Sequence, residues 1–92
     1  MKLTPEDIKH LLNIGYLKSD IPQIEEAIHI STYTLIDSDD NDLGRLSVEE
    51  AIEVLGRKSF IFGIARSAFH WSACRKTDDG KYVYFNSSAL FK

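Results

Sequence analysis

The chain has 92 residues, of which 43% are hydrophobic and 27% are charged, and this composition excludes a wholly disordered protein. Its length suits one domain rather than two. No stretch approaches the roughly 18 apolar residues of a membrane span, and residues 1–4 carry no signal-peptide run. A single cysteine, Cys74, excludes an internal disulfide. We therefore expect a cytoplasmic protein that touches no membrane.

Charge is distributed unevenly along the chain, although the net charge is only −3. Residues 1–56 contain four basic and twelve acidic residues, whereas residues 57–92 contain seven basic and two acidic residues. The first segment therefore carries a charge of −8 and the second a charge of +5. Such a split predicts two electrically different surfaces, one suited to a basic protein and the other to phosphate.

The first stretch with a clear helix signal begins at Thr4. Thr4 followed by Pro5 and two acidic residues is typical of a helix N-terminus. Apolar residues spaced three and four apart continue the pattern, and Gly15 marks its end. These signals predict a helix over 5–14.

A second helix is predicted over 21–36, so that residues 1–36 would form an N-terminal helical pair. Asp20 with Gln23 three residues later resembles a capping box, and the apolar residues that follow have helical spacing. Residues 37–46 come next as an acidic loop, since they contain four aspartates and a glycine.

Two further helices are predicted after this loop. Ser47 with Glu50 is a clear capping box and begins a helix over 48–55, which Gly56 ends. The segment 59–69 is almost entirely apolar, which predicts a buried helix at the centre of the core.

The remaining residues predict a β-hairpin. Aromatic and β-branched residues over 71–77 and 81–86 flank the dipeptide Asp79-Gly80, which is a strong hairpin signal. Residues 87–92 are predicted to begin a final helical turn. The expected fold over residues 1–92 is therefore a single small α+β domain, with about four helices followed by a C-terminal β-hairpin.

The segment 47–92, with its order of helix, helix and hairpin, resembles excisionase-type winged helix-turn-helix domains. The resemblance is carried by Leu46-Ser47-Val48-Glu49-Glu50-Ala51, Val54-Leu55-Gly56, Cys74-Arg75-Lys76 and Gly80-Lys81-Tyr82-Val83-Tyr84. It implies DNA binding, with a helix in the major groove and a basic wing over the phosphates. The residues expected to contact nucleic acid are Arg66, Arg75, Lys76 and Lys81. Because the helix over 59–69 carries a single cation, a structural helix beside a solvated basic hairpin is the alternative.

Aromatic residues alternate with the basic residues of the hairpin and allow more than one interpretation. Aromatic rings among cations stack on unpaired bases, but they also fill the space between a hairpin and its helices. If Tyr82 and Tyr84 both point outward, they form a protein-binding patch instead. The aromatic residues concerned are Trp71, Tyr82, Tyr84 and Phe85.

The acidic residues support a rival hypothesis, namely a protein-interaction module that binds a basic surface, as a phage-borne inhibitor or DNA mimic would. The residues expected to contact the partner are Asp37, Asp39, Asp40, Asp42, Glu49 and Glu53. The same loop resembles an EF-hand loop, which would bind Ca²⁺ with a closing glutamate at Glu50. However, Asp42 stands where that motif requires glycine, and we therefore predict no metal site.

No phosphate-binding, nucleophile-elbow or zinc motif is present, so we expect neither catalysis nor a cofactor. Over nearly its whole length the chain resembles a family of short proteins carried on phages and mobile elements of gut-type Firmicutes. The resemblance is carried by residues 20–27, 51–57 and 66–71. It implies a cytoplasmic bacterial setting and an accessory role, either regulating the element or blocking a host defence. We therefore expect a non-enzymatic, nucleic-acid-associated accessory protein.

Overall fold

The computed structural model describes residues 2–69 and 72–87, and within them the chain forms four α-helices and a four-stranded antiparallel sheet. The helices are α1 (Pro5–Asn13), α2 (Ile21–Ile30), α3 (Val48–Leu55) and α4 (Arg57–Ala68). The strands are β1 (Thr32–Ile36), β2 (Asp42–Leu46), β3 (Ser72–Lys76) and β4 (Tyr82–Asn86). Two helices followed by two strands occur twice along the chain, and the strand order β2-β1-β4-β3 joins both hairpins in one sheet.

The predicted arrangement of four helices followed by one C-terminal hairpin is wrong, because a first hairpin lies in the middle of the chain. The helix predicted over 21–36 ends at Ile30, and Ser31 already has an extended backbone with φ −73° and ψ 150°. The next five residues are rich in β-branched and aromatic side chains. Thr32 is exposed and Tyr33 is buried, and the three residues that follow are half-buried. They form a strand because β4 supplies an antiparallel partner for every residue of β1.

The acidic stretch 37–46 is therefore the turn and second strand of a hairpin rather than a loop. Only residues 37–41 turn, while β2 pairs with β1 in a register that shifts once. Almost all of β2 is exposed, and its sequence shows no alternation of buried and exposed positions. Its pairing with β1, rather than its own pattern, makes it a strand.

Several local signals produced the elements that they predicted. Thr4 Oγ1 accepts a hydrogen bond from the Asp7 N–H (3.2 Å), and the Asp7 carboxylate accepts one from the Thr4 N–H (2.9 Å) at the start of α1. Ser47 and Glu50 make the same reciprocal pair at the start of α3, at 3.1 and 3.0 Å. Asp20 differs from its prediction, because its carboxylate does not cap α2 and instead accepts from the backbone N–H three residues earlier.

The helices pack against one face of the sheet, around three aromatic rings. The rings of Tyr33, Phe60 and Phe85 have centroids 5.3 to 5.9 Å apart and are almost completely buried. The Tyr33 hydroxyl donates to the Ile28 carbonyl (2.9 Å), which ties β1 to α2. Gly63 allows α4 to approach β4 closely, since a Cβ at that position would collide with the Phe85 ring.

Among the side chains whose burial the structure describes, those on the opposite face of the sheet do not belong to the core. Along β4, Val83 and Phe85 are buried against the helices, whereas Tyr82 and Tyr84 are half-buried on the other side. This is the alternation that a strand over 81–86 predicts, with Tyr82 and Tyr84 on one face and Val83 and Phe85 on the other, and the structure confirms it. Cys74, on the neighbouring strand, is exposed on the same outer face as Tyr84.

Some predictions concern residues outside the described part of the chain. These residues are His70, Trp71 and positions 88–92, which hold most of the predicted final helical turn. Within the part that the structure does describe, no helix has both the length and the apolar character that crossing a bilayer requires.

Candidate nucleic-acid interface

The solvent-facing side of α4 alternates basic and aromatic residues. Lys58, Phe62 and Arg66 follow one another at intervals of four, and Phe69 comes three residues later at the helix end. Residues three and four apart lie on one helix face, so these four side chains form a row about 16 Å long. All four are exposed or half-buried, whereas the opposite side of α4 lies in the core. We call this row the α4 stripe.

The middle of the α4 stripe is a phenyl ring contacted by two guanidinium groups. The Arg66 Cζ atom lies 5.8 Å from the centroid of the Phe62 ring, and the Arg75 Cζ atom lies 5.4 Å from it. These are cation–π distances. Arg75 comes from β3 and passes beside Gly63, where an added Cβ would lie 3.0 Å from its Cγ atom. The strand β3 therefore contributes a second cation to the α4 stripe.

Both guanidinium groups beside Phe62 keep their charge available for a ligand. Across residues 2–69 and 72–87 neither forms an ion pair with a carboxylate, and the ion pairs found there are Arg57–Asp7 and Lys81–Asp79, at 2.7 and 3.4 Å. Arginine without a carboxylate partner is well suited to bind phosphate, because its planar group donates several hydrogen bonds at once.

A shallow hollow of about 400 Å³ adjoins the C-terminal end of the α4 stripe. Its wall includes the stacked rings of Tyr16 and Phe69, whose centroids are 5.9 Å apart at an interplanar angle of 24°. Gly15 has φ 110°, which lets the chain turn after α1 so that the Tyr16 N–H donates to the Leu11 carbonyl (3.0 Å). The hollow is lined by Ile14, Gly15, Tyr16, Phe62, Arg66 and Phe69.

The hydroxyl of Tyr16 adds a polar group to this hollow. Partial burial raises the pKa of Tyr16, which outweighs the opposing effect of the Arg66 charge. The hydroxyl therefore stays protonated at neutral pH and remains a hydrogen-bond donor.

The structure brings together only part of the set predicted to contact nucleic acid. Arg66 and Arg75 meet at the Phe62 ring. Lys76 is exposed beside Arg75, and the two line a smaller hollow of about 190 Å³ near the start of α4. Lys81 lies apart in the second hairpin loop, where it pairs with Asp79.

Four residues of this surface were missed by the sequence reasoning, namely Lys58, Phe62, Phe69 and Tyr16. The first three had a signal, because their spacing with Arg66 marks a separate helix face that begins just before the segment interpreted as a largely buried helix and continues through it. Tyr16 had none, since its position depends on how the turn after α1 packs against α4.

Acidic side chains gather at the other candidate surface, the sheet end that carries both hairpin turns. Loops 37–41 and 77–81 share this end because β1 and β4 are antiparallel neighbours. Of the residues predicted to contact a basic protein, Asp37, Asp39 and Asp40 lie in the first loop and Asp42 begins β2, whereas Glu49 and Glu53 are exposed on α3.

Several of these acids hold the loop together. Asp37 accepts hydrogen bonds from the backbone N–H groups of Asp39 and Asn41, at 2.9 Å each, and from the Asn41 side chain at 3.1 Å. The bonds from Asn41 are the main cause that lowers the pKa of Asp37. Asp40 takes the left-handed position with φ 65°, and the Asp42 carboxylate accepts from the backbone N–H two residues later at 2.7 Å.

The EF-hand-like hypothesis placed Glu50 as the closing ligand of a calcium site. The Glu50 carboxylate instead accepts from the Ser47 N–H at 3.0 Å in the cap of α3. Within the described ranges, no three histidine, cysteine or acidic side chains converge in a way that could hold a metal ion.

Comparison with known proteins gives one partial similarity. Translation initiation factor IF-3 of Microcystis aeruginosa is 34% identical to this chain over 65 residues, which are 71% of this chain. The chain spans 37% of the length of that factor. No family model matches the sequence, and no solved structure matches it significantly.

Proposed function

We propose that this protein binds single-stranded nucleic acid through the α4 stripe and the hollow beside it. The observation that carries the proposal is the alternation Lys58–Phe62–Arg66–Phe69 on one exposed helix face, with Arg75 added at the centre. Aromatic rings interleaved with cations are the usual means of binding a single strand without reading its sequence.

Each part of the α4 stripe has a distinct task in this proposal. The rings of Phe62 and Phe69 offer flat apolar surfaces on which bases stack, each worth about 1–3 kcal/mol. Arg66 and Arg75 bind the phosphates between the stacked bases and release counterions. The hollow of about 400 Å³ receives one base at the end of the row, next to the protonated Tyr16 hydroxyl.

A single strand fits this surface better than the groove of a duplex. Seven residues of α4 are buried against the sheet and the other helices, so only a narrow row of side chains faces solvent. Reading bases in a major groove needs polar side chains at several exposed positions, and hydrophobic rings take half of the positions in this row. The winged-helix resemblance implies duplex DNA binding instead, and the same assay tests this alternative.

The wider setting belongs to the same proposal. A binding role without catalysis in the bacterial cytoplasm agrees with the resemblance to proteins of phages and mobile elements. The partial similarity to a protein named as a translation initiation factor favours RNA as the strand to test first.

The experiment measures the fluorescence anisotropy of labelled single-stranded RNA, single-stranded DNA and duplex DNA, at low and at physiological salt. We expect saturable binding of the single strands that weakens with salt. Phe62→Ala should raise the dissociation constant about tenfold, because it removes one stacking platform. Arg66→Ala and Arg75→Ala should each reduce the slope of log affinity against log salt by about 0.7.

Two variants provide matched controls. Phe62→Leu keeps an apolar side chain at the centre of the α4 stripe but lacks a flat ring, so it should bind as weakly as Phe62→Ala. Lys2→Ala removes a cation near the opposite end of α1 from the hollow and should leave the affinity unchanged. No binding of any single strand at low salt, or equal binding by Phe62→Ala and the native chain, overturns the proposal.

The second candidate function, binding to a basic protein, is favoured by the convergence of two acidic loops at one end of the sheet. Asp39 and Asp78, one in each loop, are exposed. If a basic protein binds there, the double variant Asp39→Lys, Asp78→Lys should lose that partner while Phe62→Ala keeps it. Cross-linking of each variant in a bacterial extract, followed by mass spectrometry, measures the difference.

A further inference from the structure

The outer face of the sheet presents two aromatic rings side by side on a central strand. Tyr82 and Tyr84 lie two residues apart on β4, so both point away from the helices. In the neighbouring strands, Tyr84 is the register partner of Thr34 and Cys74, and Tyr82 is the partner of Ile36 and of a lysine. None of these residues belongs to the hydrophobic core.

Cations flank this pair of rings on both outer strands of the sheet. Arg45 on β2 is the register partner of Thr34 and is exposed, and Lys76 on β3 is the partner of Tyr82 and is also exposed. The sheet is four strands wide, which is about 14 Å from β2 to β3. A central pair of rings with a cation at each side combines stacking surfaces with positive charge, as proteins that bind single strands do.

The edge strand β3 connects this face with the α4 stripe. Arg75 and Lys76 are consecutive, so they leave β3 on opposite faces of the sheet. Arg75 reaches the Phe62 ring on the helix side of the sheet. Lys76 pairs with Tyr82 in the register of β3 and β4 and therefore lies on the outer face. Because β3 is the last strand in the order of the sheet, a polyanion that contacts both residues passes from one surface to the other around this edge.

We infer that the outer face of the sheet is a second binding surface for the same single-stranded nucleic acid, which passes around the β3 edge from the α4 stripe. The inference rests on the proposed function, since the α4 stripe supplies the first contact. Bases stack on Tyr82 and Tyr84, and the neighbouring phosphates contact Arg45 and Lys76.

The composition of the face favours nucleic acid over a protein. The centre of a protein interface is a packed apolar patch, but on the two central strands, β1 and β4, Ile36 is the only aliphatic side chain of this face. Leu43 adds an exposed aliphatic side chain on the edge strand β2. Carboxylates border the face at the end near the first hairpin loop, where Asp42 lies opposite Ile36 and the Asp40 charge acts on Cys74. The two tyrosines and the two cations provide the stacking surfaces and the positive charge of the face.

The one cysteine of the chain provides a probe that needs no substitution. Cys74 is exposed opposite Tyr84 on this face. Mass spectrometry measures the rate at which iodoacetamide alkylates Cys74, first without nucleic acid and then with a saturating single strand of about 20 nucleotides. We expect the bound strand to slow alkylation about tenfold or more, because a covered thiol is inaccessible to the reagent.

Paired variants give an independent measure. The double variant Tyr82→Leu, Tyr84→Leu should raise the dissociation constant for this strand about tenfold or more, whereas Tyr82→Phe, Tyr84→Phe should stay within about twofold of the native chain, since it keeps both rings. The melting temperatures of both variants test whether the fold is retained.

The outcomes separate this inference from the proposed function. A strand that binds with full dependence on Phe62 but leaves Cys74 alkylation unchanged overturns the inference and keeps the α4 stripe. Protection of Cys74 with no effect of Phe62→Ala overturns the path around β3 and the α4 stripe together. Absence of any binding overturns both proposals. If a protein protects Cys74 and no nucleic acid does, the ligand of this face is a protein and the inference is wrong.

Discussion

The two halves of the chain, residues 5–46 and 48–86, use the same order of elements for different tasks. Each half has two helices followed by a hairpin of two five-residue strands. In both loops the first N–H donates to the last carbonyl, and the fourth residue has a positive φ, 65° at Asp40 and 87° at Gly80. The sequence shows no repeat between the halves, so different residues form the same backbone conformation in the two loops.

The difference between the halves lies in what they bury. The second half supplies α4 and β4, whose side chains form the centre of the core, including Phe60, Ile64 and Phe85. In the first half, β2 is an exposed edge strand. Most of the acidic residues of the chain also lie in this first half. The comparison teaches that local devices such as caps and turns recur with any suitable residue, whereas packing against the helices decides how much of the core each hairpin carries.

The largest effect should come from truncating the core of the second half. Phe85→Ala should lower the free energy of unfolding by about 3–5 kcal/mol, because it leaves a cavity between β4 and α4. Leu43→Ala, in the exposed hairpin of the first half, should change it by less than about 0.5 kcal/mol. Urea denaturation measures both, and equal losses for the two variants would show that the hairpins share the core equally.

The capping acids of the two halves offer a second contrast. Asp7 caps α1 and also accepts two hydrogen bonds from Arg57 of the second half, at 3.1 and 2.7 Å, whereas Glu50 only caps α3. Asp7→Asn should cost about 1–3 kcal/mol of unfolding free energy, and Glu50→Gln should cost less. A larger loss for Glu50→Gln would mean that the contact between the halves adds little.

Acid should weaken the same contact. Burial tends to raise the pKa of Asp7, but the hydrogen bonds from Arg57 and Thr4 outweigh it and hold this pKa below its ordinary value. A lowered pKa in the folded state gives stability that is present above the ordinary pKa and is lost as the pH falls through the lowered one. The unfolding free energy should therefore drop between about pH 5 and about pH 2, and Asp7→Asn should flatten that part of the profile.

A third test substitutes the residue with positive φ in the turn of each hairpin. Gly80→Ala places a Cβ in the left-handed region and should cost about 1–2 kcal/mol. Asp40→Gly removes a non-glycine residue from the same region of the first loop and should gain up to about 1 kcal/mol. Thermal unfolding of each variant measures the sign, and two changes of the same sign would show that the loops are not equivalent.

The smallest effect concerns charge outside the α4 stripe. Asp39→Asn and Asp78→Asn each remove a negative charge from the acidic sheet end, and each should strengthen nucleic-acid binding by up to about twofold at low salt. The gain should vanish at high salt because exposed charges are screened. A gain that persists at high salt would place these loops in contact with the strand.

Local signals located all four helices, although the predicted end of the second was too late, and they located one hairpin. The Thr4 and Ser47 caps located α1 and α3 because a cap satisfies backbone groups within three residues. The Asp79-Gly80 turn located the second hairpin for a similar reason. The first hairpin was missed, although its alternation from Thr32 onward is visible afterwards, because the preceding helical spacing was carried too far.

The candidate site was predictable only in part. Arg66 and Arg75 are visible in the sequence as cations in a basic segment, but their convergence on Phe62 is not. That contact requires α4 to lie across β3 at Gly63, where the absence of a side chain permits close approach. No local pattern specifies this approach.

What the sequence by itself determined are the interactions that close within a few residues: the helix caps, the turn of the second hairpin and the separation of acidic from basic segments. Only the tertiary structure decided that β2 is a strand, that Arg75 joins Arg66 at the Phe62 ring, and that the face shared by Tyr82 and Tyr84 is turned away from the helices. The physical reason is that these features depend on partners distant in sequence, since β1 pairs with β4 across some fifty residues. Contacts of that kind leave little trace in local spacing.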